Sequence, residues 1–480
     1  MSGARATGQG CRIPMLLAGV VSFAASLAVY LATLAPSITW SHDGADSGEL
    51  AAAALTGGAP HPPGYPTYML LAGGFARLPL AEPARGVNLL SALSGAACAL
   101  LTAWTLGRLL AGGADHGGGS ELPGAAPARA LIAASAGLLL AFSPTLWSQA
   151  VIAEVYALHA AWTAGLLFLA TRGGDTEPAP GRRWLWAGAF LLGVGAGVHL
   201  SIVLLLPALA LAAWWGMRPG ERRPTVWLGA VVALLLGLGV YGLLPLRAGR
   251  QPPINWGDAS SFEGFVWLVS GRLYSRYFFG FPLDAAPARL AALAGLLRQQ
   301  FGLWGIGLGL AGVWYLFGER RRWALVTLAA WLPFVIYAVG YDTADSYLYL
   351  LPAHVVFALW IGYGLWALWR EGARLIRGPA WARLAPAALA LCLPLGPLLS
   401  HWPAMDLSRD REALNYARET LAAAAPGSLL LADGDGPTFS LWYVHYGLGE
   451  RPDVALVNVA LWGFPWYQRN LRLREPHIFD

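Results

Sequence analysis

Long apolar runs alternate with short polar breaks as far as His401. A helix needs about 20 apolar residues to cross a bilayer core, within a range of about 17 to 25. Spans are therefore expected near 15–35, 86–107, 129–147, 151–171, 184–199, 200–216, 225–245, 297–317, 323–340, 349–369 and 384–401, about eleven in all. The 184–216 stretch carries Arg on both flanks, so it must enter and return, turning near Gly197-Val198-His199. The 129–171 run breaks at Ser143-Pro144, where proline removes a helical hydrogen bond. That break makes "SPTLWSQAVIAEVY" the tip of a hairpin.

Past His401 the period changes. "SRDREALNYARETLAAAA" has amphipathic helical spacing opened by Ser408, "SLLLAD" and "DVALVNVAL" read as strands, and "TFSLWYVHYG" between them reads as helix. The pattern predicts a βαβ-like piece over 403–480, too thin to be very stable alone. It is expected to pack on the outer face of a membrane part spanning 1–402.

Composition agrees. Of 480 residues 56% are hydrophobic and only 12% charged, whereas a soluble domain carries about 25% charged residues. The 23 Trp suit rings placed at membrane–water boundaries. Cys11, Cys98 and Cys392 lie far apart and match neither a disulfide framework nor a zinc spacing.

The net charge of +5 changes meaning once its placement is read. All 32 basic residues are Arg, and many cluster in short loops: Arg182-Arg183, Arg218 with Arg222-Arg223, Arg320-Arg321-Arg322, and Arg370, Arg374, Arg377 and Arg383. That is the signature of the positive-inside rule, so the partner it implies is the lipid bilayer and no nucleic acid. An N-terminus inside (Arg5, Arg12) puts every such cluster on the cytoplasmic side. It puts outer loop 36–85, Glu154, His199, outer loop 246–296 and Asp342 to Asp345 outside, with the C-terminal piece. The first span lacks a small-residue cleavage site before the first loop, so it is expected to be retained. The absence of Lys and the Ala/Gly/Arg-rich composition point to a GC-rich bacterial genome, hence to a bacterial plasma (inner) membrane. The expected fold class is an α-helical polytopic membrane protein with a small C-terminal α/β extracytoplasmic piece.

Candidate chemistry concentrates in "ITWSHDGADSGELAAAALTGGAPHPPGYP", residues 38–66, which holds Asp43, Asp46 and Glu49 and no Arg. Asp46 and Glu49, three apart, share one face of a helix that begins there. The pair also fits a capping box, with Asp46 as N-cap. Asp43 is surplus to a cap, and without an Arg partner an ionised carboxylate must be hydrated or face a ligand. "HPPGYP" is a stiff turn, but a turn does not need an imidazole, so His61, with Tyr65 beside it, is a candidate substrate contact. Glu154, Tyr156, His199, Asp342 and Asp345 sit near helix ends, where water lowers the cost of burying an ionisable group. The topology delivers all five to the side of Asp46. Asp433-x-Asp435 in "ADGDG" resembles the metal-binding pair of soluble nucleotide-sugar enzymes, yet Asp and Gly are ordinary turn formers, and a turn is the reading adopted. Walker-type glycines and metal-ligand His spacing are missing from the loops, so no metal and no cofactor is expected.

"W-x-x-x-G-x-D-S-G-E-L", "HPPGYPTY", "R-G-V-N-L-L-S-A-L", "LWSQAVIAEVYAL" and "GVHLS" together resemble a multi-pass family whose animal member is a protein O-mannosyltransferase acting on plexin-type receptor domains. The likeness runs in order from Trp40 to His199 and more loosely through "YDTADSYLYLLPA" into the C-terminal piece. It implies a GT-C type glycosyltransferase that uses a polyprenyl-phosphate sugar donor and keeps an acid in its first outer loop. On this resemblance Asp46 or Glu49 is the catalytic acid, and His61, Glu154, Tyr156 and His199 contact substrate.

The mechanism this suggests has Asp46 taking the proton of an acceptor hydroxyl on a protein or envelope glycan, a general-base role, with Glu49 positioning. The leaving phosphate calls for a cation, for which Arg247 is the first choice and Arg272 and Arg276 the alternatives, the guanidinium fork suiting phosphate. Two rival classes remain: a multi-pass transporter of a polar or lipid-linked substrate, and a non-catalytic component of envelope-glycan assembly. Transporters often carry inverted repeats with sites at the bilayer midplane. Here no internal repeat is visible, and the acids lie toward one face.

Overall fold

A computed structural model describes residues 3–111, 122–173, 182–376 and 378–479. The side chains of Arg5 and Arg12, and Arg377 altogether, lie outside the described residues. Each of the eleven expected segments is helical, but they differ in reach. Seven helices are long and apolar enough to cross a membrane: Ile13–Thr33, Pro83–Ala111, Pro224–Ala248, Ala286–Glu319, Arg321–Gly340, Ser346–Leu375 and Trp381–Met405. An eighth span forms if Ala125–Ala141 and Pro144–Ala150 count as one, bent by 68°. The bend sits at Ser143-Pro144, where proline opens the second helix from its first position.

Tyr156–Ala170, Arg182–Ala196 and Leu200–Gly216 are shorter. Seven or eight of the expected eleven are thus full-length by length and composition, and the others are shortened where the chain leaves the helix at 151–155 and at 197–199. Those two irregular stretches both border the site described below.

Ser346–Leu375 is the central helix: 89% of its apolar window is buried, against 17% for Trp381–Met405 at the edge. Ala286–Glu319 packs on it at backbone contact. A Cβ on Gly312 would stand 1.8 Å from the Trp360 carbonyl oxygen, and one on Gly364 would stand 2.2 Å from that of Leu308, the close approach that small residues permit between membrane helices. The Pro83–Ala111 helix sets the polarity of the bundle. At its start the Ala84 N–H donates to Tyr443 of the C-terminal piece at 3.1 Å. At its other end the Leu109 carbonyl accepts from Arg320 at 2.8 Å, and Arg370 pairs with Glu319 at the close of the neighbouring helix. Arg320 and Arg370 and the C-terminal piece therefore occupy opposite ends.

In the C-terminal piece, strands β1 (Leu429–Ala432) and β2 (Ala455–Asn458) pair in parallel, Leu429 opposite Ala455. The crossover runs through the Asp435–Trp442 helix, the βαβ arrangement that the sequence pattern implied. The preceding helix begins at Glu412, four residues later than the expected Ser408, because Asp410 Oδ1 accepts from the Glu412 N–H at 3.1 Å. The piece docks on the membrane part through Trp40 Nε1 to Ser440 Oγ at 2.9 Å and Asn470 Nδ2 to the Asn255 carbonyl at 3.0 Å. Gly48 is needed for this contact, since a Cβ there would lie 2.4 Å from the Phe439 carbonyl oxygen.

Candidate active site

The loop after the first span is built to present one carboxylate and hold another. His42 and Asp43 both take left-handed backbone, φ 61° and 59°, a conformation unfavourable for residues with a Cβ. It is held by His42 Nε2 against the Ala404 carbonyl at 2.9 Å and by Gln149 Nε2 donating to the His42 carbonyl at 3.0 Å. The reversed chain then enters the Ser47–Thr56 helix with Asp46 at its N-cap, yet the Asp46 side chain makes no capping bond. The capping-box reading is corrected here: Glu49 does not reach back to Asp46. Instead Glu49 Oε1 accepts from the His61 backbone N–H at 3.2 Å, and Oε2 meets His61 Nδ1. His61 Nε2 faces Asp46 Oδ2 at 3.6 Å and Tyr65 OH at 3.1 Å.

The two acids consequently differ. The Glu49 side chain is 0% exposed and that of Asp46 is 36% exposed, with His61 at 10% between them. Burial pushes the Asp46 carboxyl up, His61 opposes this, and Glu49 and Asp345 add to it. Burial alone would lower His61, but Asp46 and Glu49 outweigh it and raise the imidazole to about 10. His61 is the cation of this cluster.

The remaining wall comes from far along the chain. The Thr67 and Tyr68 N–H groups donate to the Gly197 carbonyl at 2.9 and 3.3 Å, which sets His199 beside Tyr65, ring centroids 6.2 Å apart. Tyr156 and Tyr349 flank His199 at 5.7 and 5.6 Å. Glu154, 4% exposed, accepts from the Val155 N–H at 3.2 Å. Asp345 lies within electrostatic reach of both Asp46 and Glu154. Eight expected residues are thus gathered around one recess: Asp46, Glu49, His61, Tyr65, Glu154, Tyr156, His199 and Asp345.

Three others stand apart. Asp43 accepts from Tyr347 OH at the rim, Asp342 is paired with Arg289 at 2.8 Å, and Arg247 donates to the Gly58 carbonyl at 3.2 Å, beyond the far end of the Ser47–Thr56 helix.

Sequence reasoning missed several neighbours. Asp435, assigned to a turn, opens the Asp435–Trp442 helix and lies within electrostatic reach of Asp46 and His61, burial and then Asp46 pushing its carboxyl up. Only Asp433 behaves as a turn residue, its Oδ1 accepting from the Gly434 N–H at 2.9 Å. Trp256 and Tyr274 border the His61 ring at 6.3 and 6.4 Å, and His159 lies 5.0 Å from His199. No local pattern marked Trp256 or Tyr274, while His159 follows Tyr156 by one helical turn and so shared its face. Among the described residues no group of three His, Cys, Asp or Glu side chains is arranged to hold a metal ion. An apolar cavity of about 240 Å³, lined by residues such as Leu166, Trp184, Leu209 and Trp227, lies elsewhere in the bundle.

Comparison with known proteins bears on the family and the fold. Residues 46–220 match the family described as protein O-mannosyl-transferase TMEM260 N-terminal domain, and residues 413–476 match TMEM260-associated domain 2. The mouse protein O-mannosyl-transferase TMEM260 is 27% identical over 99% of this chain and 67% of its own length. The Dictyostelium discoideum protein of the same name is 21% identical over 94% of this chain and 58% of its own. The chain therefore spans about two thirds or less of these relatives. Among solved structures, ArnT from Cupriavidus metallidurans bound to undecaprenyl phosphate superposes with TM-score 0.58 and 16% identity, over 93% of this chain and 90% of that one. The same protein in the apo state gives 0.55 and 15%, over 91% and 88%. At such identity the likeness is one of fold, a GT-C-like helical membrane architecture.

Proposed function

Because the chain belongs to the protein O-mannosyl-transferase TMEM260 family of glycosyltransferases, we propose that it moves a sugar from a polyprenyl-phosphate donor to a hydroxyl acceptor, with Asp46 as general base. The observation that carries this reading is the split between the two acids of one motif: Glu49 is spent on His61, while Asp46 is uncapped and open to the recess. The bound undecaprenyl phosphate of ArnT supports a lipid-linked donor here. The acceptor is a protein or an envelope glycan on the extracytoplasmic side of a bacterial inner membrane.

In this mechanism the acceptor oxygen attacks the anomeric carbon as Asp46 takes its proton, and the bond from that carbon to the phosphate oxygen breaks. Such base assistance contributes typically about 10²- to 10⁴-fold in rate. His61, charged and fixed by Glu49, keeps Asp46 ionised against the cost of burial. Glu49 positions. Glu154, Tyr156, Tyr65, His199 and Asp345 offer groups to the sugar, and Asp43 and Asp342 stand toward the acceptor's approach. Arg247 spends one N–H on Gly58 and keeps the rest of its fork for the leaving phosphate.

The test is turnover of a panel of polyprenyl-phosphate sugars, mannose included, by purified protein in vesicles, read as released polyprenyl phosphate. Turnover that Asp46→Asn abolishes in a folded, inserted protein is the expected result. Full turnover by that variant would remove Asp46 from the mechanism, and no turnover of any donor would remove the function.

A further inference from the structure

His159, Ser201 and His199 form a one-way chain of hydrogen bonds leading into the recess. Its direction follows from a single bond whose donor is not in doubt. The Ser201 backbone N–H donates to His199 Nδ1 at 3.3 Å. A nitrogen that accepts carries no proton, so His199 is neutral, and its proton resides on Nε2. The Ser201 hydroxyl lies 2.8 Å from the same Nδ1 and, facing a bare nitrogen, must be the donor. Its oxygen is then free to accept, and His159 Nε2 lies 3.2 Å from it, which makes that nitrogen the protonated one. His159 Nδ1 is left as a bare acceptor, and it is indeed a buried atom without a partner.

Ser201 is 7% exposed and His159 1%, so water does not compete for these bonds. The other end differs. Among the described residues His199 Nε2 has no hydrogen-bond partner, and it is not one of the sealed polar atoms. The ring stands among Tyr65, Tyr156 and Tyr349.

We propose that His159 and Ser201 are positioning residues that lock His199 in its Nε2–H tautomer, so that His199 donates a hydrogen bond to an oxygen of the donor's sugar-phosphate head. Without the hydroxyl, only the longer 3.3 Å backbone bond favours that tautomer, and the form that accepts at Nε2 gains population. Tautomer selection by a partner on the second ring nitrogen is a general device of histidine sites. This inference rests on the proposed sugar-transfer reading for its ligand, but not for its tautomer.

Two measurements on the full chain in nanodiscs separate these. Imidazole nitrogen NMR, with no substrate present, should give His199 as a single Nε2–H tautomer in the wild type and in Ser201→Thr, and with a detectable Nδ1–H fraction in Ser201→Ala, where the longer backbone bond at 3.3 Å alone remains. A mixture in the wild type overturns the proposal whatever the substrate. In the turnover assay Ser201→Ala should raise the donor KM about tenfold, the scale of one hydrogen bond, with Ser201→Thr restoring it. His199→Gln, whose amide N–H sits near the place of Nε2 and has no tautomer to choose, should be insensitive to a second Ser201→Ala. If the two losses simply multiply, Ser201 acts by packing and the proposal fails.

Discussion

Glu49 grips His61 at two points, accepting the backbone N–H with one carboxylate oxygen and meeting ring Nδ1 with the other. The pairing fixes both the turn that carries His61 and the orientation of its ring, and it leaves Nε2 toward Asp46. Asp46→Asn should therefore remove transfer by at least about 100-fold, the lower range for a general base. Glu49→Gln keeps an acceptor for the backbone N–H and should cost less in rate while loosening the turn. The comparison needs kcat and a thermal-unfolding midpoint for each variant. A Glu49→Gln rate as low as that of Asp46→Asn, in a protein equally stable, would reverse the assigned roles.

The same cluster fixes the pH dependence. Transfer requires ionised Asp46, whose carboxyl is pushed above the usual range by burial and by Glu49 and Asp345, with His61 opposing. The acid limb of the rate profile should accordingly lie above the ordinary carboxylate value of about 3.9. Asp345→Asn removes one of the raising charges and should move that limb to lower pH. For stability the sign runs the other way. His61 is raised from about 6.5 in the unfolded chain to about 10 in the fold. Its contribution is full below the unfolded value and lost as pH rises through about 10. His61→Gln should flatten the alkaline part of the stability curve.

Gly48 tests whether the C-terminal piece must sit tight against the site. Gly48→Ala drives a methyl group to 2.4 Å from the Phe439 carbonyl, and the backbone there cannot swing aside as a side chain would. Overpacking of this kind costs about 1–3 kcal/mol, and it should free the 403–480 piece to protease while lowering transfer. Gly74→Ala, with nothing within 4 Å of the new Cβ, is the matched control and should be neutral.

Local pattern carried the helices, and it carried the residues whose motifs lie at helix ends: Asp46, His61, Glu154 and His199 were all marked by an ionisable side chain where an apolar run stops. What pattern could not carry was pairing across long stretches of chain. Asp435 comes to Asp46 from nearly four hundred residues away, through the docking of Trp40 on Ser440, and its own neighbourhood of Asp and Gly speaks only of a turn. The end-of-span position of Arg247 gave no sign of the bond its guanidinium makes to the Gly58 carbonyl. Asp342 has a local partner in Arg289 that sits far away in sequence. Pattern also could not tell a full-length apolar helix from one shortened to shape a pocket, since the two are equally apolar.

Asp435 supplies the next test. It is exposed on the C-terminal piece within electrostatic reach of Asp46, so its expected service is to the acceptor. Asp435→Asn should raise the acceptor KM about three- to tenfold, the worth of a hydrogen bond or two, and leave hydrolysis of the donor in the absence of acceptor unchanged. Equal losses in both reactions would move Asp435 from acceptor binding to the support of Asp46.

Orientation can be read directly. Asp433 and Gly220 are both exposed, the first beside the carboxylate recess and the second within the Arg218 to Arg223 cluster. In a background lacking Cys11, Cys98 and Cys392, an impermeant thiol reagent applied to right-side-out vesicles should label Asp433→Cys and spare Gly220→Cys until the membrane is opened. The physical ground is the excess of Arg at one end of the helices, set against a recess where an imidazole sits between acids. Labelling in the reverse sense would put the carboxylates in the cytosol, where a sugar carried on the outer leaflet could not meet them.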